Sequence, residues 1–165
     1  MELRRPTLAD KETVLDMMAE FEATQSAHDG GFWNAEAFVY EDWLETNMQK
    51  EMGINLPENR VPSIQFVLFD ESGRALGFLN LRLRLNEGLL NYAGHIGYSI
   101  RPSEQGKGYA KEALRQGLQV AKEKNIHLAL VTCSMDNPAS RAVILANGGQ
   151  LEDVQNGTER YWIDL

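Results

Sequence analysis

A turn with two glycines, lying between an apolar segment and a helical segment, constrains this chain more than any other feature. The apolar segment covers residues 95–100, and residues 111–124 repeat apolar side chains at helical spacing. Gly106 and Gly108 therefore precede a helix N-terminus, where main-chain N–H groups lack partners within the helix. Such N–H groups bind phosphate oxygens with help from the helix dipole, and glycine lets the backbone approach the ligand closely. Lys107 adds a positive charge, and the pattern predicts a diphosphate-binding turn.

The spacing of the glycines excludes the two commonest phosphate-binding motifs. A P-loop needs Gly-x-x-x-x-Gly-Lys-Ser/Thr, and a dinucleotide-binding turn needs a third glycine; residues 106–111 provide neither. The run Gln105-Gly106-Lys107-Gly108-Tyr109-Ala110 does fit the pattern Gln/Arg-x-x-Gly-x-Gly/Ala. In this run the chain resembles the GNAT superfamily of acyl-CoA-dependent N-acetyltransferases, in which this turn holds the coenzyme A pyrophosphate.

Two further segments extend the resemblance over nearly the whole chain. Residues 137–143, Asn-Pro-Ala-Ser-Arg-Ala-Val, fit the family's Asn-x-x-Ser/Ala-x-x-Leu/Val segment, and residues 3–10 are similar to its first strand and first helical turn. The resemblance implies a GNAT fold of the α/β (α+β) class. Its twisted, mostly antiparallel mixed sheet is flanked by helices and splayed at the central strands. We expect residues 1–165 to form one such domain.

Hydrophobic periodicity predicts the elements around these motifs. Two amphipathic helices precede a hairpin that turns at Asp70–Gly73, and an aromatic strand closes the chain. The proline-containing segment between the second helix and the hairpin is predicted to be a mobile loop. The predicted ranges are helices over 11–23 and 35–52, strands over 63–69, 76–85, 128–133 and 159–164, and the loop over 53–62.

Composition limits the classes of partner. The net charge of −8 argues against nucleic acid and anionic membranes, and mildly favours a cationic acceptor, although solubility alone accounts for such acidity. A single cysteine, Cys133, and three scattered histidines predict no disulfide and no metal site, with Cys133 as a buried structural residue. No apolar stretch has membrane-spanning length, and no signal peptide is recognisable, so we expect a cytoplasmic protein.

The resemblance implies acetyl-CoA as the cosubstrate and suggests which residues bind it. In this family the strand before the turn pairs with the pantetheine arm as though the arm were another strand. Ser140 has a second interpretation, as the cap of the helix that starts there. The candidate coenzyme A-binding residues are Tyr98, Ser99, Ile100, Gln105, Gly106, Lys107, Gly108, Tyr109, Ala110, Asn137 and Ser140.

The implied reaction is acetyl transfer to a primary amine by direct attack in a ternary complex. The amine must be neutral to attack, and His95 is our candidate base; the alternative is a structural histidine at the start of a strand. Many GNAT enzymes use a tyrosine as general acid seven positions after the asparagine motif, but this chain has Ile144 there. Tyr98 or a water molecule is then the candidate proton donor. A catalytically silent acyl-CoA-binding regulator and a nucleotide-binding domain are the alternative functions.

The sequence leaves the amine acceptor open between a small molecule, which could resemble a polyamine or an aminoglycoside, and a protein N-terminus or lysine. Arg82 and Arg84 either orient an anionic group of the acceptor or belong to an exposed strand face. Pairing into a homodimer is compatible with the family. Four aromatic residues either line the acceptor pocket or belong to the core, namely Phe32, Trp33, Tyr40 and Trp43.

Overall fold

Seven strands form two antiparallel sheets in the computed structural model, which describes residues 1–165. The strands are β1 (Glu2–Arg4), β2 (Ser63–Phe69), β3 (Ala75–Arg82), β4 (Ile96–Ile100), β5 (Leu128–Ser134), β6 (Gln150–Gln155) and β7 (Thr158–Asp164). Their order is β1-β2-β3-β4 in the first sheet and β5-β7-β6 in the second. The helices are α1 (Lys11–Ala23), α2 (Tyr40–Met52), α3 (Tyr109–Glu123) and α4 (Pro138–Ala146). None of them combines the length and the apolar composition that crossing a membrane requires.

The structure confirms most predicted elements and corrects two of their boundaries. Helix α1 and strand β2 have the predicted bounds. Helix α2 begins five residues later than predicted, because the Asn34 side chain accepts the N–H of Glu36 and Ala37 adopts a φ of +53°. Strand β3 ends at Arg82, before the predicted end at residue 85. Strand β6 was not predicted.

The first sheet is covered on both faces. Along β2, Ile64, Phe66 and Leu68 belong to one hydrophobic cluster with α3, while Val67 and Phe69 belong to a second with α1 and α2. Each such side chain contributes about 1.5–3 kcal/mol when fully buried. These two layers hold β3 and β4 rigidly between the helices.

The two sheets are joined at His95 and separate beyond it. The His95 N–H donates to the Leu130 carbonyl at 2.7 Å, and the His95 imidazole Nδ1 accepts the Leu130 N–H at 2.9 Å. Gly94 forms one isolated bridge with Val131. From Ile96 onward, β4 pairs only with β3, so its other edge stays unpaired within the chain. The predicted splay of the sheet is therefore confirmed, and it opens toward the glycine turn.

Candidate functional site

The glycine turn presents main-chain donors at the N-terminus of α3. Gly106 and Gly108 have φ angles of +78° and +84°, and a Cβ atom at either position would have no protein atom within 4 Å. The N–H groups of residues 106–111 donate no hydrogen bond within the chain. Positive φ angles favour glycine, and unpaired N–H groups at a helix start favour an anion. The turn can therefore hold a phosphate group.

Side chains next to the turn shape it and balance its charge. The Gln105 side chain donates to the Ile100 carbonyl at 3.0 Å, which ties the turn to the end of β4. Lys107 forms an ion pair of 2.8 Å with Glu104, and Arg74 pairs with the same carboxylate. The hydrogen bond from Lys107 lowers the pKa of Glu104. Lys107 is thus held beside the turn by a carboxylate, and the main chain supplies the donors.

A cavity of about 560 Å³ runs from the turn into the splay between the sheets. Ser99 lies in it, and the Ser99 Oγ is buried without a hydrogen-bond partner in the chain. Of the predicted coenzyme A-binding residues, Lys107 does not line the cavity. Those that do are Tyr98, Ser99, Ile100, Gln105, Gly106, Gly108, Tyr109, Ala110, Asn137 and Ser140. We name this space the coenzyme cavity.

A second cavity of about 420 Å³ meets the coenzyme cavity, and we name it the amine cavity. Asp29, Tyr98, Asn137 and Ser140 line both. The Tyr98 hydroxyl is hydrogen-bonded to Ser140 Oγ at 2.8 Å, and burial raises the pKa of Tyr98 to about 12. The phenol therefore keeps its proton at neutral pH and is available as a donor where the cavities join.

The first turn of α4 argues against the interpretation of Ser140 as its cap. Asn137 Oδ1 accepts the Ser140 N–H at 3.1 Å, so Asn137 caps the helix, and Pro138 occupies its first position. The Ser140 hydroxyl is left to bond Tyr98. The sequence motif thus positions a helix start whose polar side chains face both cavities.

The placement of His95 argues against the base role predicted for it. His95 is 6% exposed and lines none of the cavities described here. Its Nδ1 already accepts the Leu130 N–H, so the neutral ring carries its proton on Nε2. Burial, and secondarily the charge of Arg82, lowers the pKa of His95 to about 4. The imidazole has a structural contact at the sheet junction, as the alternative interpretation expected.

Two other residues are placed as the sequence suggested. Ile144 is fully buried in the core and packs against Gly149, so that position offers no proton donor. The Cys133 thiol lies 3.6 Å from Glu159 Oε1, and burial raises the pKa of Cys133 to about 11. A buried, protonated thiol is a structural residue and not a nucleophile.

The sequence analysis did not identify Asp29 as a site residue. Its surroundings, His-Asp-Gly-Gly at residues 28–31, indicate a turn but no function. The Gly30 carbonyl accepts the buried Gln65 side chain at 2.7 Å, and a Cβ on Gly30 would lie 2.2 Å from the Gly97 carbonyl oxygen. This close contact fixes the turn against β4, where Asp29 lines both cavities. Among the four candidate aromatic residues, Phe32 lines the amine cavity, and the other three belong to or pack against the α1–α2 cluster.

Comparison with known proteins agrees with this geometry. A family model described as an acetyltransferase (GNAT) domain matches residues 1–150. No curated protein sequence matches the chain.

Solved structures share the fold over almost the full chain. A ribosomal-protein-S5-alanine acetyltransferase from Vibrio fischeri is 20% identical, with a TM-score of 0.70 over 98% of this chain and 91% of that one. A variant of the spermidine N-acetyltransferase SpeG from Vibrio cholerae is 18% identical, with a TM-score of 0.64 over 99% and 95%. The protein yncA from Salmonella typhimurium, solved with its cofactor acetyl-CoA, is 17% identical, with a TM-score of 0.63 over 99% and 93%. At these identities the likeness establishes the fold alone.

Proposed function

This chain belongs to the GNAT acetyltransferase family and is an N-acetyltransferase, and we propose that it transfers the acetyl group of acetyl-CoA to a primary amine by direct attack. One observation carries the proposal: the coenzyme cavity and the amine cavity meet at a protonated tyrosine, Tyr98. A donor and an acceptor bound in the two cavities would come together at that hydroxyl.

The coenzyme cavity suits a long ligand with phosphates at one end. The free N–H groups of residues 106–111 would hold the pyrophosphate, and the unpaired edge of β4 would pair with the pantetheine amides. When bound, acetyl-CoA supplies an acetyl thioester. A main-chain N–H of β4, within residues 98–100, would donate to the thioester oxygen as negative charge develops on it. The acetyl-CoA found on the same fold in yncA supports this assignment.

Two side chains at the junction are suited to move protons. We assign the role of proton acceptor to the Asp29 carboxylate in preference to His95. It would take a proton from the attacking amine, directly or through water. The Tyr98 hydroxyl donates its proton to the departing sulfur. As the N–C bond forms and the C–S bond breaks, one proton passes from the nitrogen to Asp29 and one passes from Tyr98 to the sulfur. Asp29 then loses its proton to solvent and Tyr98 regains one from solvent, which restores both residues.

Calorimetric titration tests the coenzyme assignment. We expect acetyl-CoA to bind with micromolar affinity, ahead of ATP and NAD, and Gly108→Glu to abolish that binding. Gly73→Glu is the matched control, because Gly73 has a φ of +86° and equally open surroundings in the β2–β3 turn, outside every cavity described here. Equal binding of ATP, or equal loss in both variants, would overturn the assignment.

The transfer itself is tested by thiol release with a panel of amines. We expect coenzyme A to appear in equal amount to acetylated amine. A protein that binds acetyl-CoA but releases no thiol with any amine would be the silent binding domain instead. Three accompanying proposals need separate tests: that residues 1–165 form one domain, that the protein works in the cytoplasm, and that it pairs into a homodimer.

A further inference from the structure

A third cavity, of about 440 Å³, continues the amine cavity away from the coenzyme. Phe32 and Arg82 line both, so a molecule in the amine cavity can extend into this space. Three of its lining side chains are cationic and none is a carboxylate. We name it the cationic cavity; its lining residues are Phe32, Lys50, Leu56, Pro57, Asn59, Arg60, Val61, Ser63, Asn80, Arg82, Asn86 and Leu89.

Arg82 is half-buried and forms no ion pair, and the carboxylate whose charge acts on it is that of Asp29, across the junction of the cavities. Its only hydrogen bonds within the chain reach the carbonyls of Ala93 and Gly94, at 3.3 and 3.4 Å. Arg101 provides the contrast: it is fully buried, and its guanidinium forms ion pairs with Asp16 at 2.7 Å and Glu20 at 2.9 Å. Burial lowers the pKa of Arg82, whereas these carboxylates raise the pKa of Arg101.

The other two cations are also free of carboxylate partners. Lys50 is half-buried, lies over the Phe32 ring at 5.7 Å, and has its pKa lowered by burial and by Arg60. Arg60 lies in the loop that covers the cavity. Seven of the ten arginines pair with carboxylates, and two of the three that do not, Arg60 and Arg82, line this one space.

This concentration of charge opposes the overall charge of the chain. The protein carries 24 acidic and 16 basic side chains, so three unpaired cations around one cavity are not the general pattern of its surface. Charges are screened over roughly 8–10 Å at physiological salt, so a small ligand responds to the local sign. Partial burial of an unpaired cation, as at Arg82 and Lys50, costs free energy, and a bound anion offsets that cost.

We propose that the amine acceptor carries an anionic group, a carboxylate or a phosphate, which Arg82, Arg60 and Lys50 bind in the cationic cavity. The amine of the same molecule then lies beside Asp29 and Tyr98. The inference rests on the proposed acetyl transfer and names the class of its substrate: small amino acids, amino phosphonates or amino phosphates. Polyamines and aminoglycosides, which are polycations, would be repelled by this cavity.

The experiment compares matched pairs of amines with and without the anion. The panel holds the common L-amino acids with their C-terminal amides, and O-phosphoethanolamine with ethanolamine, and spermidine represents the polycations. Thiol release is followed with acetyl-CoA at saturation. We expect the anionic member of the preferred pair to have a kcat/KM at least about 10-fold above its neutral counterpart, because hydrogen bonds between charged groups are stronger than those between neutral ones. If an amino acid has the highest kcat/KM, the anionic group is a carboxylate. If O-phosphoethanolamine has the highest kcat/KM, the anionic group is a phosphate.

Two variants and one control locate the effect. Arg82→Gln and Arg60→Gln should each raise the KM of the anionic acceptor about 10-fold, a larger increase than for its neutral counterpart. Arg60 is exposed in a loop, so its variant tests the cavity even if Arg82→Gln unfolds. Arg84→Gln is the matched control, because Arg84 is an unpaired arginine two residues away that does not line the cavity.

The possible results separate this inference from the function on which it rests. Failure to bind acetyl-CoA, or a lack of thiol release with every amine of the panel, would overturn the proposed function itself. When at least one amine is acetylated, three results would each overturn the anionic acceptor: preference for neutral amines or spermidine, no turnover of any anionic amine, or equal effects of Arg60→Gln and Arg84→Gln.

Discussion

The coenzyme cavity and the cationic cavity present opposite kinds of group to a ligand. The coenzyme cavity begins at a turn of consecutive residues, 106–111, and offers N–H groups of the main chain. The cationic cavity is built from side chains of α2, β3 and the loop between α2 and β2. Main-chain donors require only the local backbone conformation, so a short motif encodes them. Side-chain charges from distant segments meet only after folding, so no short motif encodes them.

The difference also predicts how each end tolerates substitution. Binding in the coenzyme cavity should depend on glycine conformation and little on individual charges. Binding in the cationic cavity should depend on single side chains. The four substitutions below test the glycine turn, the junction between the coenzyme cavity and the amine cavity, and the histidine that links the two sheets.

Removing the Tyr98 hydroxyl should have the largest effect. Tyr98→Phe should lower kcat about 100- to 1,000-fold and change the acetyl-CoA Kd far less, because the variant removes the proton donor but keeps the ring and the main chain that line the coenzyme cavity. Steady-state kinetics and calorimetry measure the two quantities. Tyr92→Phe is the control, since Tyr92 lines the amine cavity but not the coenzyme cavity and is half-exposed. Equal losses of kcat in the two variants would contradict the acid role.

The histidine at the sheet junction should affect stability and not chemistry. His95 has a pKa of about 4 in the folded chain, below the ordinary 6.5, so the unfolded chain binds more protons between those values. Stability should therefore fall as the pH drops from 6.5 to 4. His95→Gln should remove up to about 3 kcal/mol of that pH dependence, measured by urea unfolding at pH 7 and pH 4.

The exposed His127 supplies the control for this experiment, because His127→Gln should retain the full pH dependence. The same His95→Gln protein decides the base assignment. An unchanged pH profile of kcat/KM would refute His95 as the base, and a loss of the acidic limb would support it.

Asp29→Asn should lower kcat/KM for the amine about 10-fold or more, because the junction loses its proton acceptor while the fold of the turn is kept. Amine-dependent thiol release measures the effect. Asp136→Asn, on an exposed residue outside the cavities, should keep the wild-type rate. A wild-type rate for Asp29→Asn would show that neither proton transfer nor amine binding uses this carboxylate.

Lys107→Ala should have the smallest effect. Lys107 is exposed and engaged with Glu104, and exposed ion pairs are weak, so the acetyl-CoA Kd should rise only about two- to threefold. Calorimetry with Lys122→Ala, at the far end of α3, provides the reference. A loss as large as that of Gly108→Glu would mean that a side-chain charge, and not the main chain, holds the phosphates.

Much of the fold could be predicted because its signals are local. The glycine turn, the strand before it and the start of α4 are each specified by fewer than ten neighbouring residues, and each lies where expected, although Asn137 and not Ser140 caps α4. Strand β6 was missed because its residues are mostly exposed and show no apolar alternation. The aromatic residues Trp33, Tyr40 and Trp43 carried no signal that separates a pocket from a core. Trp33 and Trp43 pack against Phe78, and Tyr40 packs against Trp43, which places them with the core.

The sequence by itself determined the family, the antiparallel fold and the turn of the coenzyme cavity, whose positive φ angles favour glycine. Only the tertiary structure decided which residues line the amine cavity and the cationic cavity. It placed His95 at a link between the two sheets, since only the fold brings Leu130 to its ring. It also brought Asp29 to the junction and gathered Lys50, Arg60 and Arg82 around one cavity. Backbone conformation follows from neighbouring residues, whereas the burial and pairing of a charge depend on segments far apart in the chain.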